Sequence, residues 1–404
     1  MLNFLLIHLR KKGLGFLGFL MIFFVISCQN QQLMPVDSPY PMSDDQFSSD
    51  TLVRGFKIPF GLAILNDNEY LITDRVGILY HFKNGVLAEI KGLPAVQTFG
   101  DPGLPFIING GLMDISFHPS YPHIPWVYVA YFSENSRLKL IRFKFENENI
   151  TEIEPLFETR TSGYYGNGTR IAWQDDKHLF LNIGNSNIST VSNPVLVSQD
   201  LKEDWGKIHR LMDDGSIPAD NPILEGYSEP ISIWSYGHRD AQGLVYDQDT
   251  QTLFAAEHGP KGGDEFNIIQ KGGNYGWPLF TYGIDYSGLP VSMISKDSAA
   301  TFTILPEHYW TVPTNDGGRA IAPSSLLLVK NSSIPAWNDQ FLVPSLAFRR
   351  LLKFNRETGI TEGLPITGRI RTLKQLPSGD ILALIEKDNI NNSNGYILRI
   401  GKSN

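Results

Sequence analysis

Leu244-Val-Tyr246, Asp247-Gln-Asp249 and Thr252-Leu-Phe-Ala-Ala256 read together as two short apolar strands joined by a polar turn. Strands of that length bury only their apolar positions. The glycine-rich, charged segments on either side, 234–243 and 257–278, are therefore loops at strand ends, where a rigid sheet usually carries its binding groups. The same signature recurs outward along the chain. Gly61-Leu-Ala-Ile-Leu turns at Asn66-Asp67-Asn68 into Tyr70-Leu-Ile-Thr. Arg170-Ile-Ala-Trp turns at Asp175-Asp176 into Leu179-Phe-Leu-Asn-Ile, and Thr372-Leu-Lys-Gln-Leu turns at Ser378-Gly379 into Ile381-Leu-Ala-Leu-Ile. Leu112-Met-Asp-Ile-Ser-Phe followed by Trp126-Val-Tyr-Val-Ala-Tyr-Phe is a fifth copy with a longer connection.

Repeated hairpins with no long amphipathic helix after Asp50 predict an all-β protein, a β-propeller of four-stranded antiparallel sheets. The chain has 404 residues, leaving about 350 after Asp50, enough for six blades of about 40–50 residues with functional loops. A pair of β-sandwiches is the alternative. A formal net charge of −8 without a basic stripe argues against nucleic-acid binding.

The N-terminus reads as an export signal. Basic residues among His8 to Lys12 precede an apolar run over 13–27, shorter than the roughly 20 residues of a spanning helix. It ends at Val25-Ile26-Ser27-Cys28, the pattern of a bacterial lipoprotein signal, and Cys28 is the only cysteine. The expected organisation is a signal peptide over 1–27, a flexible tether over 28–50 and a propeller over 51–404. The mature protein would be held at the periplasmic or cell-surface face of a membrane by lipid on Cys28.

Tyr236-Gly-His-Arg239, Gln242-Gly-Leu244, Glu257-His-Gly-Pro260, Gly263-Asp-Glu265 and Asn274-Tyr-Gly-Trp-Pro278 occur in one order and spacing. In these phrases the chain resembles the soluble pyrroloquinoline quinone (PQQ)-dependent aldose and glucose/sorbosone dehydrogenases. The resemblance also implies six blades. It further implies oxidation of an aldose to its lactone by hydride transfer to PQQ, with electrons passed to a respiratory acceptor. PQQ carries three carboxylates, which suit arginine forks. The implied cofactor residues are Arg239, Arg369 and Arg371, with Arg349 or Arg350 near a further basic position, and Asn109 where relatives often carry Gln. Arg369 and Arg371 lie two apart, so in a strand both point to one face. Backbone carbonyls at Gly259-Pro260 would hold a cofactor-bound Ca²⁺, and Asp264, Glu265, Tyr275 and Asp285 match a second, structural Ca²⁺ site.

One departure is central. The family's general base is a His four residues before an Arg, but here the stretch is Tyr164-Tyr-Gly-Asn-Gly-Thr-Arg170. Ungapped alignment puts Gly166 at the His position, and one inserted residue puts Tyr165 there. Glycine takes no proton, and a tyrosine with a pKa of about 10 is a poor base at neutral pH. Asp240, where relatives usually have Asn, brings a carboxylate to the site. Tyr165, Asp240 or a water would then replace the missing base, with Arg239 alongside. His238, His258 and His118 match family positions without being its base, and His178 and His209 sit in ordinary strand contexts. Two other functions fit such a chain: a non-catalytic propeller binding carbohydrate or PQQ, and a Ca²⁺-dependent lactonase.

Overall fold

The computed structural model describes residues 38–100, 108–163, 168–185, 196–311, 318–386 and 394–403. Six four-stranded antiparallel sheets stand around one axis. Their innermost strands, in chain order, are Pro59–Asn66, Leu112–Phe117, Thr169–Trp173, Ala241–Asp247, Leu327–Leu328 and Arg369–Gln375, which define blades 1 to 6. Each touches the next, and the sixth touches the first. Among the described residues the only α-helix is the four-residue Lys296–Ala299, and no helix is long and apolar enough to cross a membrane.

The core lies between blades. Each of six apolar clusters joins two adjacent sheets; one packs Phe254, Phe266 and Trp310 of blade 4 on Phe341, Leu352 and Phe354 of blade 5. A sheet covered on both faces buries its middle strands completely, which is why Thr252–Glu257 reads as an almost unbroken apolar run. The outer strand Asn149–Glu158, with one face in water, is largely exposed. Each fully buried Leu, Ile or Phe contributes about 1.5–3 kcal/mol, so the six seams supply most of the stabilisation.

All five hairpins read from the sequence are the inner pairs of blades 1, 2, 3, 4 and 6. Blade 5 escaped that reading because its inner strand has two residues, Leu327–Leu328, and a 3₁₀ turn, Pro335–Trp337, intervenes before its partner. The ring closes by pairing Ser48–Phe56 with Gly395–Gly401, so blade 6 holds both the first and the last strand.

One boundary needs correction. Within the expected 28–50 tether, the described residues ahead of Ser48 dock on blade 5, and Ser48–Asp50 already pair in blade 6. Ser43 N–H donates to Gly363 O at 2.9 Å, and Gly363 N–H donates to Pro41 O at 2.8 Å. Asp45 accepts from Trp337 Nε1 at 2.9 Å and pairs with Lys353, while Phe47 packs on the Trp337 ring. The sparse apolar residues of this segment suffice because blade 5 supplies the partners of Asp45 and Phe47. Cys28 lies outside the described residues.

Candidate active site

The inner strands all begin at one end of the axis, and the loops there form a mouth. On its blade 6 and blade 1 side, Arg369 and Arg371 open the inner strand and both turn to Glu386, which ends the adjacent strand. Arg369 Nε lies 3.7 Å from Glu386 Oε1, and Arg371 Nε donates to Oε2. The shared face expected of these two arginines is therefore realised, despite a slip in pairing between Ile370 and Thr372. Arg75, at the end of the first hairpin, is buried beside them and donates through Nε to Gly110 O at 2.8 Å. Burial and the neighbouring Arg371 lower its pKa to about 9, against the pull of Glu386 and Asp240. Burial would raise Glu386, but Arg371, Arg369 and Arg75 hold it below the usual carboxylate range. Gly111 makes this approach possible, because a Cβ there would sit 1.9 Å from Arg75 O. Asn109 is buried in the adjoining short strand Ile108–Gly110.

Across the axis, the loop before blade 4 carries Arg239 and Asp240. The backbone N–H of Arg239 donates to Glu257 Oε1, its Nη1 donates to His258 O at 3.2 Å, and its guanidinium lies 5.2 Å from the Trp277 ring centroid. His238 Nδ1 faces Glu257 Oε2 at 2.9 Å, and its Nε2 faces Ser235 Oγ at 2.9 Å. A carboxylate only accepts, so Nδ1 carries a proton. Ser235 is fully buried, which makes this Ser–His–Glu chain a brace for Glu257 and not a nucleophilic triad. Asp240 Oδ1 accepts from Gly168 N–H at 2.6 Å, and Oδ2 accepts from Gln242 Nε2 at 2.9 Å and lies 3.8 Å from His258 Nδ1. His258 Nε2 donates to Pro323 O at 2.8 Å. Gly184 leaves room for this carboxylate, since a Cβ there would sit 2.1 Å from Oδ1.

Beside Arg239 a cavity of about 10 Å³ is lined by Glu257, His258, Gly259, Gly263, Glu265 and Tyr275 among others, room for one water-sized occupant. Burial and the facing Glu257 push the Glu265 carboxyl well above its ordinary range. A cation between the two acids would remove that repulsion, and Gly259, which lines the same cavity, has a carbonyl that accepts no hydrogen bond from the described residues. Oxygen donors of this kind suit a hard cation such as Ca²⁺.

Side chains of the second expected metal set already have partners within the protein. Asp264 spends both oxygens on backbone amides, taking Gly259 N–H at 2.9 Å on one and those of Ile321 and Ala322 on the other. Tyr275 OH donates to Ile268 O and accepts from Gln270 N–H, while Asp285 caps its own turn through Ser287 N–H. Among the described residues no three His, Cys, Asp or Glu side chains form a metal-binding group.

Arg350 also departs from expectation. It opens the third strand of blade 5, and its side chain runs over the outer strand to Met42 Sδ at 2.8 Å, away from the axis. Arg349, at φ 51°, holds the preceding turn by accepting Gly368 N–H on its carbonyl. Tyr165 and Gly166 lie outside the described residues. Sequence reasoning missed Arg75 and Glu386. The available signal was a charged residue closing an apolar strand, in Tyr70-Leu-Ile-Thr-Asp-Arg75 and Ile381-Leu-Ala-Leu-Ile-Glu386.

Three comparisons with known proteins agree with this fold. Aldose sugar dehydrogenase YliI of Escherichia coli is 30% identical over 362 residues, covering 86% of this chain and 90% of the relative. The apo structure of the soluble aldose sugar dehydrogenase from Escherichia coli superposes with a TM-score of 0.73 at 27% identity, covering 88% of this chain and all of the other. The PQQ-bound aldose sugar dehydrogenase of Streptomyces coelicolor gives 0.68 at 25% identity, covering 88% and 98%. The family model described as Glucose / Sorbosone dehydrogenase matches residues 56–399. With six blades and a family match across nearly the whole propeller, the chain belongs to the glucose/sorbosone dehydrogenase family.

Proposed function

We propose that this propeller oxidises an aldose to its lactone with PQQ as the electron acceptor, and passes the electrons to a respiratory carrier. The observation that carries the reading is the charge at the mouth. Arg75, Arg369 and Arg371 gather around the Glu386 carboxylate, and Arg239 stands across the axis. Guanidinium forks placed on both sides of the mouth fit a flat ligand bearing several carboxylates. Gly259 and Pro260, with Glu257 and Glu265 behind them, would hold the accompanying Ca²⁺. When bound, the quinone supplies the two-electron acceptor.

The chain's own residues bind and orient. Arg369 and Arg371, pre-set by Glu386, meet the carboxylates, while Arg239 is fixed at the opposite side by Glu257 and Trp277. In the absence of the family's histidine, Asp240 is the proposed acceptor of the sugar hydroxyl proton. Its Oδ1 hydrogen bond also anchors Gly168, two residues from Gly166. A binding-only propeller is the second reading, supported by the two hydrogen bonds that already engage the Asp240 oxygens. A lactonase with Ca²⁺ on side chains in the central channel fits poorly, since a guanidinium, that of Arg170, fills the axis.

The test is a titration of Ca²⁺-loaded protein with PQQ, followed by absorbance as aldoses are added. Binding followed by bleaching to the reduced quinone supports the dehydrogenase. Bound PQQ that stays oxidised supports the binding-only propeller, and no binding overturns both.

A further inference from the structure

Arg170 sits in the inner strand of blade 3, and its side chain crosses the axis, 4% exposed. Nε donates to Gln242 O at 2.8 Å in blade 4. Nη1 donates to Phe60 O at 3.2 Å in blade 1 and to Thr372 Oγ1 at 2.7 Å in blade 6, and lies 3.5 Å from Asp114 Oδ1 in blade 2. Nη2 donates to Ser324 O at 2.7 Å, just before the blade 5 strand, and to Arg371 O at 2.6 Å in blade 6. One guanidinium thus binds the inner edge of all five other blades. Only arginine carries five donors in a rigid fork, and lysine has three. Asp114 completes the arrangement by accepting Ile171 N–H through its other oxygen.

Two of these bonds run directly under the mouth. Arg371 O belongs to the residue whose side chain grips Glu386, on the side that would take cofactor carboxylates. Gln242 O belongs to the residue whose amide holds Asp240, on the opposite side. We propose that Arg170 is the positioning residue of this site: its guanidinium sets the span between the Arg371 side and the Asp240 side, so that both meet one ligand at once. This rests on the PQQ reading for the identity of the ligand, but the tie itself belongs to the protein alone.

The experiment uses the full chain with Arg170→Lys and Arg170→Ala. Amide hydrogen exchange of the PQQ-free proteins is read first. Exchange is expected to quicken together in peptides at the starts of the inner strands of blades 1, 4, 5 and 6, around residues 60–62, 241–244, 324–326 and 370–373. A rise confined to the blade 3 strand would overturn the proposal. PQQ titration is read second: affinity should fall about tenfold or more in Arg170→Lys. Millimolar methylguanidinium should restore affinity in Arg170→Ala, where sodium chloride at equal concentration does not. A lowered melting temperature with unchanged PQQ affinity would reduce Arg170 to a structural tie and overturn the positioning role. If the wild-type chain itself binds no PQQ, the functional reading falls, and the exchange pattern still decides whether Arg170 spans the ring. Should Arg170→Ala fail to fold, Arg170→Lys, which keeps the charge and three donors, carries both measurements.

Discussion

Asp240 concentrates the question of chemistry in one side chain. An Asn there could still accept Gly168 N–H through its amide oxygen but could not take a proton. Asp240→Asn is therefore expected to leave PQQ affinity within a few-fold and lower kcat by about 10²–10⁴. Stopped-flow reduction of bound PQQ by an aldose measures it, and an unchanged rate would move the base elsewhere. His209 makes a second residue-level prediction. It is buried, with Nε2 donating to Asp204 O and Nδ1 paired with Ser232 Oγ, and burial lowers its pKa from 6.5 to about 4. Between those values the unfolded chain binds the extra proton, so stability is lost as pH falls from about 6.5 towards 4. The loss from this one group amounts to about 3 kcal/mol. Urea unfolding at pH 7 and pH 4.5 should show a smaller drop for His209→Gln than for the wild type.

At the scale of elements, the segment ahead of the first strand behaves as a strap on blade 5. Lys353 Nζ reaches both Asp45 and Glu362 from a largely buried stem, and Trp337 Nε1 also uses Asp45. Removing one member leaves a buried cation short of a partner and an indole N–H without its acceptor. Asp45→Ala is expected to cost about 1–3 kcal/mol in urea unfolding. The double variant with Lys353→Met should recover part of that loss; simple additivity would show that the two side chains do not act together. Blade 5 gains most from the strap, because its two-residue inner strand contributes little pairing of its own.

The propeller is a closed ring, with its first strand locked against its last and Glu257 and Glu265 lining the cavity beside Arg239. Two predictions belong here. Ca²⁺ should raise the melting temperature of chelator-treated protein by relieving the repulsion between Glu257 and Glu265, and Glu265→Gln should abolish most of that gain. No shift with Ca²⁺ would remove the metal from the proposal. Lipid on Cys28 would tether the ring to a membrane surface. Mass spectrometry of the mature chain should then find an acylated N-terminal Cys28 in the membrane fraction, and Cys28→Ala should release the propeller to the soluble fraction.

How much of this was legible beforehand follows from the range over which each feature is encoded. A hairpin is written within some fifteen residues by alternation and a turn, so five inner hairpins and the Arg369–Arg371 pair could be read directly. The glycine-rich phrases from Tyr236 to Pro278 pointed to the family for the same reason: their spacing is local. What faces what across the ring is not local. Arg170 meets partners 56 to 202 residues away, and Arg75 joins Arg371 and Glu386 only because blade 6 closes against blade 1. Only the folded chain shows Arg350 reaching Met42 and Asp264 accepting three backbone amides. The sequence by itself determined the strands, the turns and the chemical types brought to the mouth. Tertiary structure alone decided which charges share the axis, because ring closure brings distant strand ends within hydrogen-bonding distance.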